Sequence, residues 1–515
     1  MAEDIVRTTM SQLWAQAAPN TVPVALGCYV LGDIETPLGD TDQIICQDPV
    51  TPGRYVRKAV TQGPGGLPTT SVEGLLPKSR DWLEKQVDIG CDVNLYWTTV
   101  PCAPKTTFLN FTRGTVFQYA KASSKTKTGL MSRDSDEAAM HSMEFSGKDV
   151  ADFGAINVVR RTTSEVNGLR DITGIPFDRC QGDCGSALEK CDLMYIACNR
   201  TGAVSANVLY SADGGVTWAT TSADPFAVSE DIACIESVMV DNETMRLIVA
   251  RGTTDAANPP EIAYADVDIT GAPATTVWTA VNVCATNAYY MLHQGSLFAL
   301  DFYHIWACSD GGEIYFSDDG AITWTTQLTG VADEFRDIFF IDENVGICVG
   351  GSTGASHVVY VTTDGGLHWR AITMTGPGAT VMATACVCHD ANRLWIGFED
   401  GSLYYSVNGG DTWSARVLPL TVGSTAREAI QDIERVDDFC MWVATGHTKT
   451  AAFWPAVYRT VNGGYDWEYV EATTAIAADA LYAQKVMACA GYNNAMFVGA
   501  ADAGPLGGIY DVYEA

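Results

Sequence analysis

Basic residues are scarce in this chain. Lys and Arg number 31 against 62 Asp and Glu in 515 residues, a formal net charge of −31. That balance excludes sequence-specific nucleic-acid binding, which needs a basic face, and it favours solubility. Charge of either sign is thin, at 18% of residues. Long apolar runs are missing too. No stretch of eighteen apolar residues occurs, so no membrane-spanning helix and no membrane insertion are expected. Met1-Ala2-Glu3-Asp4 is acidic where a secretory leader needs positive charge, so export by signal peptide is not expected. No P-loop and no Gly-x-Gly-x-x-Gly ahead of a helix is present, and no cofactor is implied.

Paired metal-ligand cysteines are also lacking. Cys180, Cys184, Cys191 and Cys198 follow C-x3-C-x6-C-x6-C rather than the C-x2-C of common zinc sites. His304, His357, His368, His389 and His447 show no ligand spacing either. We therefore expect no metal. Many of the sixteen cysteines lie in apolar runs such as Ile347-Cys348-Val349 and Ala385-Cys386-Val387-Cys388. They read as reduced core thiols, made in a cytosol.

Glycine, by contrast, is plentiful at 48, and much of it sits in one recurring stretch. The copies are Ser211, Asp213, Gly215 and Trp218; Ser317, Asp319 and Trp324; Thr362, Asp364, Gly366 and Trp369; Ser406, Asn408, Gly410 and Trp413; and Thr460, Asn462, Gly464 and Trp467. Asp or Asn can close a tight turn on backbone N–H groups ahead of it. Glycine supplies positive φ there. The hydroxyl offers a second local bond, and Trp packs a large apolar face beside the turn. Apolar residues precede each copy, so each reads as a strand–turn–strand hairpin.

The spacing makes an architecture. Successive Trp residues lie 45, 44 and 54 positions apart from Trp324 to Trp467, and Trp218 to Trp324 is 106, room for two units. Tyr264-Ala265-Asp266 leading to Trp278 reads as a worn copy between them. A period in the forties made of short strands is that of a propeller blade. We expect an all-β-dominated chain with two domains, 1–190 and 191–515. The second is an approximately seven-bladed propeller, with units at 192–228, 229–283, 284–330, 331–374, 375–420, 421–471 and 472–515. The last unit is one strand short, and the missing strand is expected from the chain before residue 192, since an open ring leaves edges exposed.

These stretches resemble the Asp-box repeat of sialidases, sortilin-type receptors and plastid photosystem assembly factors. The resemblance covers roughly residues 190–515. It implies the propeller fold, and it implies that the box turns are structural and lie away from the ligand site. Sialidases bind the substrate carboxylate with three arginines and carry an Arg-Ile-Pro motif, which this chain lacks. Only Arg336 and Arg427 sit near strands that open a blade, where a central ligand would draw them, so catalysis is not expected.

Residues 1–190 read as a β-rich assembly domain with one or two short helices, at 4–17 and at 78–87 after Pro77. Residues 90–120 alternate as antiparallel sheet. Residues 121–136 are polar and locally basic. They read as a solvated hairpin loop or as an inter-subunit arm carrying Lys121, Lys125, Lys127 and Arg133. This layout resembles a phage tail-tube or virion module. It implies a non-catalytic homo-oligomer, a ring or tube assembled in the host cytoplasm, that displays the propeller to a glycan or host surface. The alternatives are a propeller scaffold or assembly factor and, disfavoured, a sialidase-like glycoside hydrolase.

Overall fold

A computed structural model describes residues 11–17, 21, 23–29, 45–47, 55–57, 69–73, 93–101, 114–128, 140–146, 149–153, 156–161, 169–174, 193–198, 208–212, 217–226, 232–252, 260–284, 293, 295–331, 333–352, 356–378, 380–420, 427–446, 456–470, 481–490, 494–501 and 508–514. No helix occurs among them.

The N-terminal part is a seven-stranded antiparallel sheet. It contains β1 (Ser11–Gln16), β2 (Val24–Tyr29), β5 (Thr69–Glu73), β6 (Val93–Pro101), β7 (Gly114–Thr128), β8 (Met140–Ser146) and β9 (Asp149–Phe153). The order is β2-β1-β6-β7-β8-β5, with β9 also on β7. A separate hairpin joins β3 (Ile45–Gln47) and β4 (Tyr55–Arg57).

Two expectations change here. Residues 11–16 form strand rather than helix, because β1 is paired on both sides, by β2 and β6. A strand paired on both edges fixes its backbone whatever the local helical spacing of Leu13 and Trp14 suggests. Residues 121–128 continue β7 and pair with β8, so Lys121, Lys125 and Lys127 lie on a strand, not in a solvated loop. Arg133 and the helix expected at 78–87 lie outside the described residues.

Six four-stranded blades of consecutive antiparallel strands follow. Blade one is β11 (Leu169–Gly174), β12 (Met194–Cys198), β13 (Val208–Ser211) and β14 (Ala219–Thr220). Blade two is β15 (Ile232–Met239), β16 (Thr244–Arg251), β17 (Glu261–Asp268) and β18 (Thr279–Asn282). Blade three is β19 (Leu297–Asp301), β20 (His304–Cys308), β21 (Ile314–Ser317) and β22 (Thr325–Leu328). Blade four is β23 (Phe335–Phe340), β24 (Gly346–Ser352), β25 (Ser356–Thr362) and β26 (Arg370–Ala371). Blade five is β27 (Ala383–Cys388), β28 (Leu394–Phe398), β29 (Leu403–Ser406) and β30 (Ser414–Arg416). Blade six is β31 (Ile430–Arg435), β32 (Met441–Thr445), β33 (Ala456–Thr460) and β34 (Glu468–Val470).

A further four-stranded sheet is composite. It joins β35 (Leu481–Ala490), β36 (Asn494–Ala501) and β37 (Gly508–Glu514) to β10 (Ile156–Arg161), which pairs antiparallel with β37. Both β10 and β11 precede residue 190, and β11 pairs with β12. The boundary expected at 190/191 thus falls inside one sheet.

Burial explains the sequence pattern. Second strands such as Leu394–Phe398 and Met441–Thr445 are buried throughout, so they read as continuous apolar runs. Outermost strands such as Ala219–Thr220 and Arg370–Ala371 are exposed. The core is a series of apolar clusters, one between each neighbouring pair of the six blades.

The N-terminal sheet is anchored to blade six. Gln16 Nε2 donates to Asn462 O at 2.7 Å, and the Tyr96 hydroxyl lies 3.0 Å from Val461 O and 2.8 Å from Gln16 Oε1. The fourth and fifth boxes both read Val-Asn-Gly-Gly after the hydroxyl. Val407 of the fourth is 60% exposed and Val461 of the fifth only 8%. The difference is the sheet lying over it.

Candidate functional site

The box turns form as their residue types predict. Ser317 Oγ donates to Asp319 Oδ1 at 2.9 Å and accepts from Ala321 N at 3.0 Å. Asp319 Oδ1 accepts from the Ile322 and Thr323 N–H groups at 3.0 and 2.8 Å. The same pattern repeats at Thr362 with Asp364, Ser406 with Asn408 and Thr460 with Asn462. Burial works against the Asp319 carboxylate, but Thr323 and Ser317 hold its pKa below the ordinary value. Bonds from the His368 backbone and ring hold Asp364 at about 2. Ser211 is buried and Trp218 half-buried; Asp213 and Gly215 lie outside the described residues. In blade two the turn is built on Asp268, which accepts from Thr270 and Gly271, and Asp266 instead grips Arg246.

These turns are packed into the fold. Gly365 N donates to Asn344 O, Gly409 N to Asn392 O and Gly463 N to Phe439 O, which ties each box to the first turn of its own blade. Trp324, Trp369 and Trp413 pack against apolar clusters, and Trp467 lies within one. Gly464 has φ +81°, and a methyl group there would run into the Trp395 indole of blade five. Gly330 has φ +82° with open space around it. Gly464→Ala is therefore expected to lower stability by about 2 kcal/mol more than Gly330→Ala, because both meet φ strain but only the first is overpacked. Urea unfolding midpoints of the two variants test this, and equal midpoints would refute it.

The boxes of blades three to six also meet the blade before them. Arg246 Nη1 of blade two donates to Gly320 O at 2.8 Å. Its guanidinium lies between Tyr264 and Phe302, 4.5 and 4.9 Å from the ring centroids, and is paired with Asp266. Arg370 Nη2 of blade four donates to Gly409 O at 2.6 Å, with Asp411 3.7 Å away. Arg416 of blade five lies 4.5 Å over Tyr405 and 5.7 Å from Tyr465. At the junction of blades three and four, the donors to Gly365 O are Gln327 Nε2 at 2.8 Å and Trp306 Nε1 at 3.4 Å.

That junction is open. A cleft of about 450 Å³ lies there. Its walls include His304, Phe316, the 78%-exposed Leu367 and the acidic residues Glu343 and Asp364. The floor is rigid, since Trp306 is fully buried and stacks on Phe340 at 3.6 Å and 8°. His304 Nδ1 is held by Asp301 at 2.9 Å.

The residues singled out from sequence do not meet there, Asp364 and Gly366 excepted. Arg336 on β23 donates to Glu334 at 2.7 Å, and Arg427 Nε donates to Leu418 O at 3.2 Å. Both are engaged in their own neighbourhoods. The lysines of β7 lie on the N-terminal sheet. Cys180, Cys184 and Cys191 lie outside the described residues. Among the described residues, Cys234, Cys284, Cys308, Cys348, Cys386, Cys388 and Cys440 are free thiols, and no group of three metal-binding side chains occurs. Sequence reasoning missed Arg246, Gln327 and Glu343. Gln327 and Arg416 both stand three residues past a box Trp, but Ile372 and Val470 hold that position in blades four and six, so the repeats carried no signal for it.

No family model matches the chain. Over 134 residues it is 25% identical to the photosystem II assembly lipoprotein Ycf48 of Synechococcus sp. (strain CC9902). That match takes in 26% of this chain and spans only 35% of the relative's length. Among solved structures, YCF48 bound to D1 peptide is similar with a TM-score of 0.47 and 13% identity, covering 70% of this chain and 98% of that one. A GH74 xyloglucanase from Xanthomonas campestris is similar with a TM-score of 0.47 and 13% identity, covering 66% and 52%.

Proposed function

We propose that this chain is a non-catalytic propeller scaffold of the assembly-factor kind, which holds a segment of another protein in the cleft between blades three and four. The observation that carries the reading is the sequence match to a curated assembly protein. The cleft adds support: a rigid aromatic floor, an exposed leucine at its edge and two carboxylates suit a peptide side chain better than a reacting bond. No catalytic step belongs to the proposal, and the arginines a sialidase-like site would use are bonded within the fold.

The scaffold is read as seven blades, with the composite sheet as the seventh and β10 as its outer strand. Contact of β35 with both β31 and β11 supports that count. The sequence match to an assembly protein favours this reading over the virion module that the N-terminal layout suggested.

Light scattering on the purified chain tests the choice. A particle of about one chain mass, 55.2 kDa, at every concentration is expected. Rings, tubes or filaments would overturn the scaffold reading in favour of a self-assembling subunit.

A further inference from the structure

The junctions between blades repeat, and they are not filled alike. At three of them a guanidinium of the preceding blade lies against the next box: Arg246, Arg370 and Arg416. Arg246 and Arg416 lie on aromatic rings, Arg246 and Arg370 have a carboxylate within reach, and the same two bond a box carbonyl. These are the surroundings a guanidinium prefers.

At the junction of blades three and four the box carbonyl is bonded by Gln327 instead, as Arg370 bonds Gly409 O; in sequence position Gln327 matches Arg416 alone, and Ile372 holds that position in blade four. Gln327 stands three residues past Trp324, as Arg416 stands three past Trp413. The strand pairing slips between Ile314 and Tyr315, opposite Gln327. The glutamine turns down onto Gly366 and bonds Gly365 O. Being shorter than arginine, it leaves the space above empty. Phe316 faces that space where Tyr405 faces Arg416, and Leu367 takes the box position of Tyr465. The acidic residues Glu343 and Asp364 also line it, with the Asp364 carboxylate accepting from Thr362 and His368.

We infer that this cleft receives an arginine side chain from a bound protein segment, which fills from outside the place that Arg246, Arg370 and Arg416 fill from within. The inference deepens the scaffold reading and rests on it. Charge complementarity agrees at both scales, since two acidic residues line the cleft and the whole chain carries a net −31.

The test uses the full chain and a fluorescein-labelled heptapeptide with one central arginine among Gly and Ser, read by fluorescence anisotropy at physiological salt. Its counterpart carries citrulline, which keeps the shape and removes the charge. Saturable binding of the arginine peptide is expected, with the citrulline peptide at least about tenfold weaker. Gln327→Arg supplies the missing guanidinium from within and is expected to weaken binding at least about tenfold. Glu343→Gln, on the cleft wall, is expected to weaken it about threefold to fivefold.

Unchanged affinity in a folded Gln327→Arg protein would overturn the assignment, because generic attraction to an acidic surface would persist there. So would equal binding of the two peptides, or none. If the light-scattering result stands while the peptide test fails, the scaffold reading survives and the cleft loses its ligand. If the chain proves to be a ring or tube yet the peptide binds as described, the cleft assignment stands without the scaffold.

Discussion

Asp171→Ala is expected to lower the stability of the propeller by about 4 kcal/mol, more than any exposed substitution in the molecule. Asp171 lies on β11 just after a register shift and is fully buried. Its Oδ2 accepts from Ile235 N of β15, in the next blade, at 2.8 Å, and its Oδ1 accepts from Ile172 N at 2.8 Å. Neighbouring blades pack face to face without a ladder of backbone bonds, so a fully buried carboxylate that crosses the gap ties them by a directional bond. Asp337, three blades on, makes the same kind of link. Its Oδ2 accepts from Cys386 N of blade five at 2.6 Å, and Gly295 leaves room for it. Removing the Asp171 carboxylate strands two buried N–H groups, each costing about 1 to 3 kcal/mol, with the charge-assisted bond at the upper end. Asp318→Ala, at an exposed acid beside a box, is the control and is expected to change stability by less than about 0.5 kcal/mol. Equal urea midpoints for the two variants would show that the inter-blade link carries no weight.

The turns were legible in the sequence because everything that makes them is local. A hydroxyl, an acid or amide, glycine and Trp within eight residues fix both the bonding and the positive φ at Gly366, Gly410 and Gly464. The register of the blades was less legible. β11, which reads Leu-Arg-Asp-Ile-Thr-Gly, belongs to blade one but stands well ahead of the Ser211 box that identifies that blade. Segments whose partners are distant were misread. Residues 11–16 looked helical until β6, some eighty positions on, is seen pairing with them. Residues 121–128 are polar enough to read as loop, yet β8 pairs along their whole length. The cleft was invisible for the same reason. Gln327 and Gly366 carry no motif together, and the position three past the box Trp reads Gln327, Ile372, Arg416 and Val470 in turn, so the repeats announce no common side chain there.

Glu428→Gln is expected to stabilise the protein at pH 8 and to leave it unchanged or slightly weaker at pH 5. Glu428 precedes β31 and is 6% exposed, and neither carboxylate oxygen has a partner among the described residues. Burial pushes its pKa up from an ordinary 4.5 to about 7. The folded chain therefore holds a proton that the unfolded chain releases above pH 4.5. The stability this contributes is fully present below pH 4.5 and is lost as pH rises through about 7. Across that window the carboxyl costs the fold about 3 kcal/mol, at 1.4 kcal/mol for each pH unit between the two values. Glutamine cannot ionise, so it escapes that cost, though its amide enters the same unpartnered site and weakens the acid side by about 1 kcal/mol. His389 sets the opposite slope. Burial, joined by the nearby Arg435 and Arg393 charges, lowers its pKa below 6.5 despite the Asp438 hydrogen bond, so its contribution is present above pH 6.5 and lost as pH falls. Both proteins carry His389, so subtracting the Glu428→Gln curve from the wild-type curve cancels its slope. The difference between the thermal midpoints of the two proteins should thus move in the variant's favour as pH rises from 5 through about 7 and level off toward pH 8. Curves that run parallel across the range would mean that the Glu428 carboxyl finds solvent or a counter-charge, and that its burial carries no pH dependence.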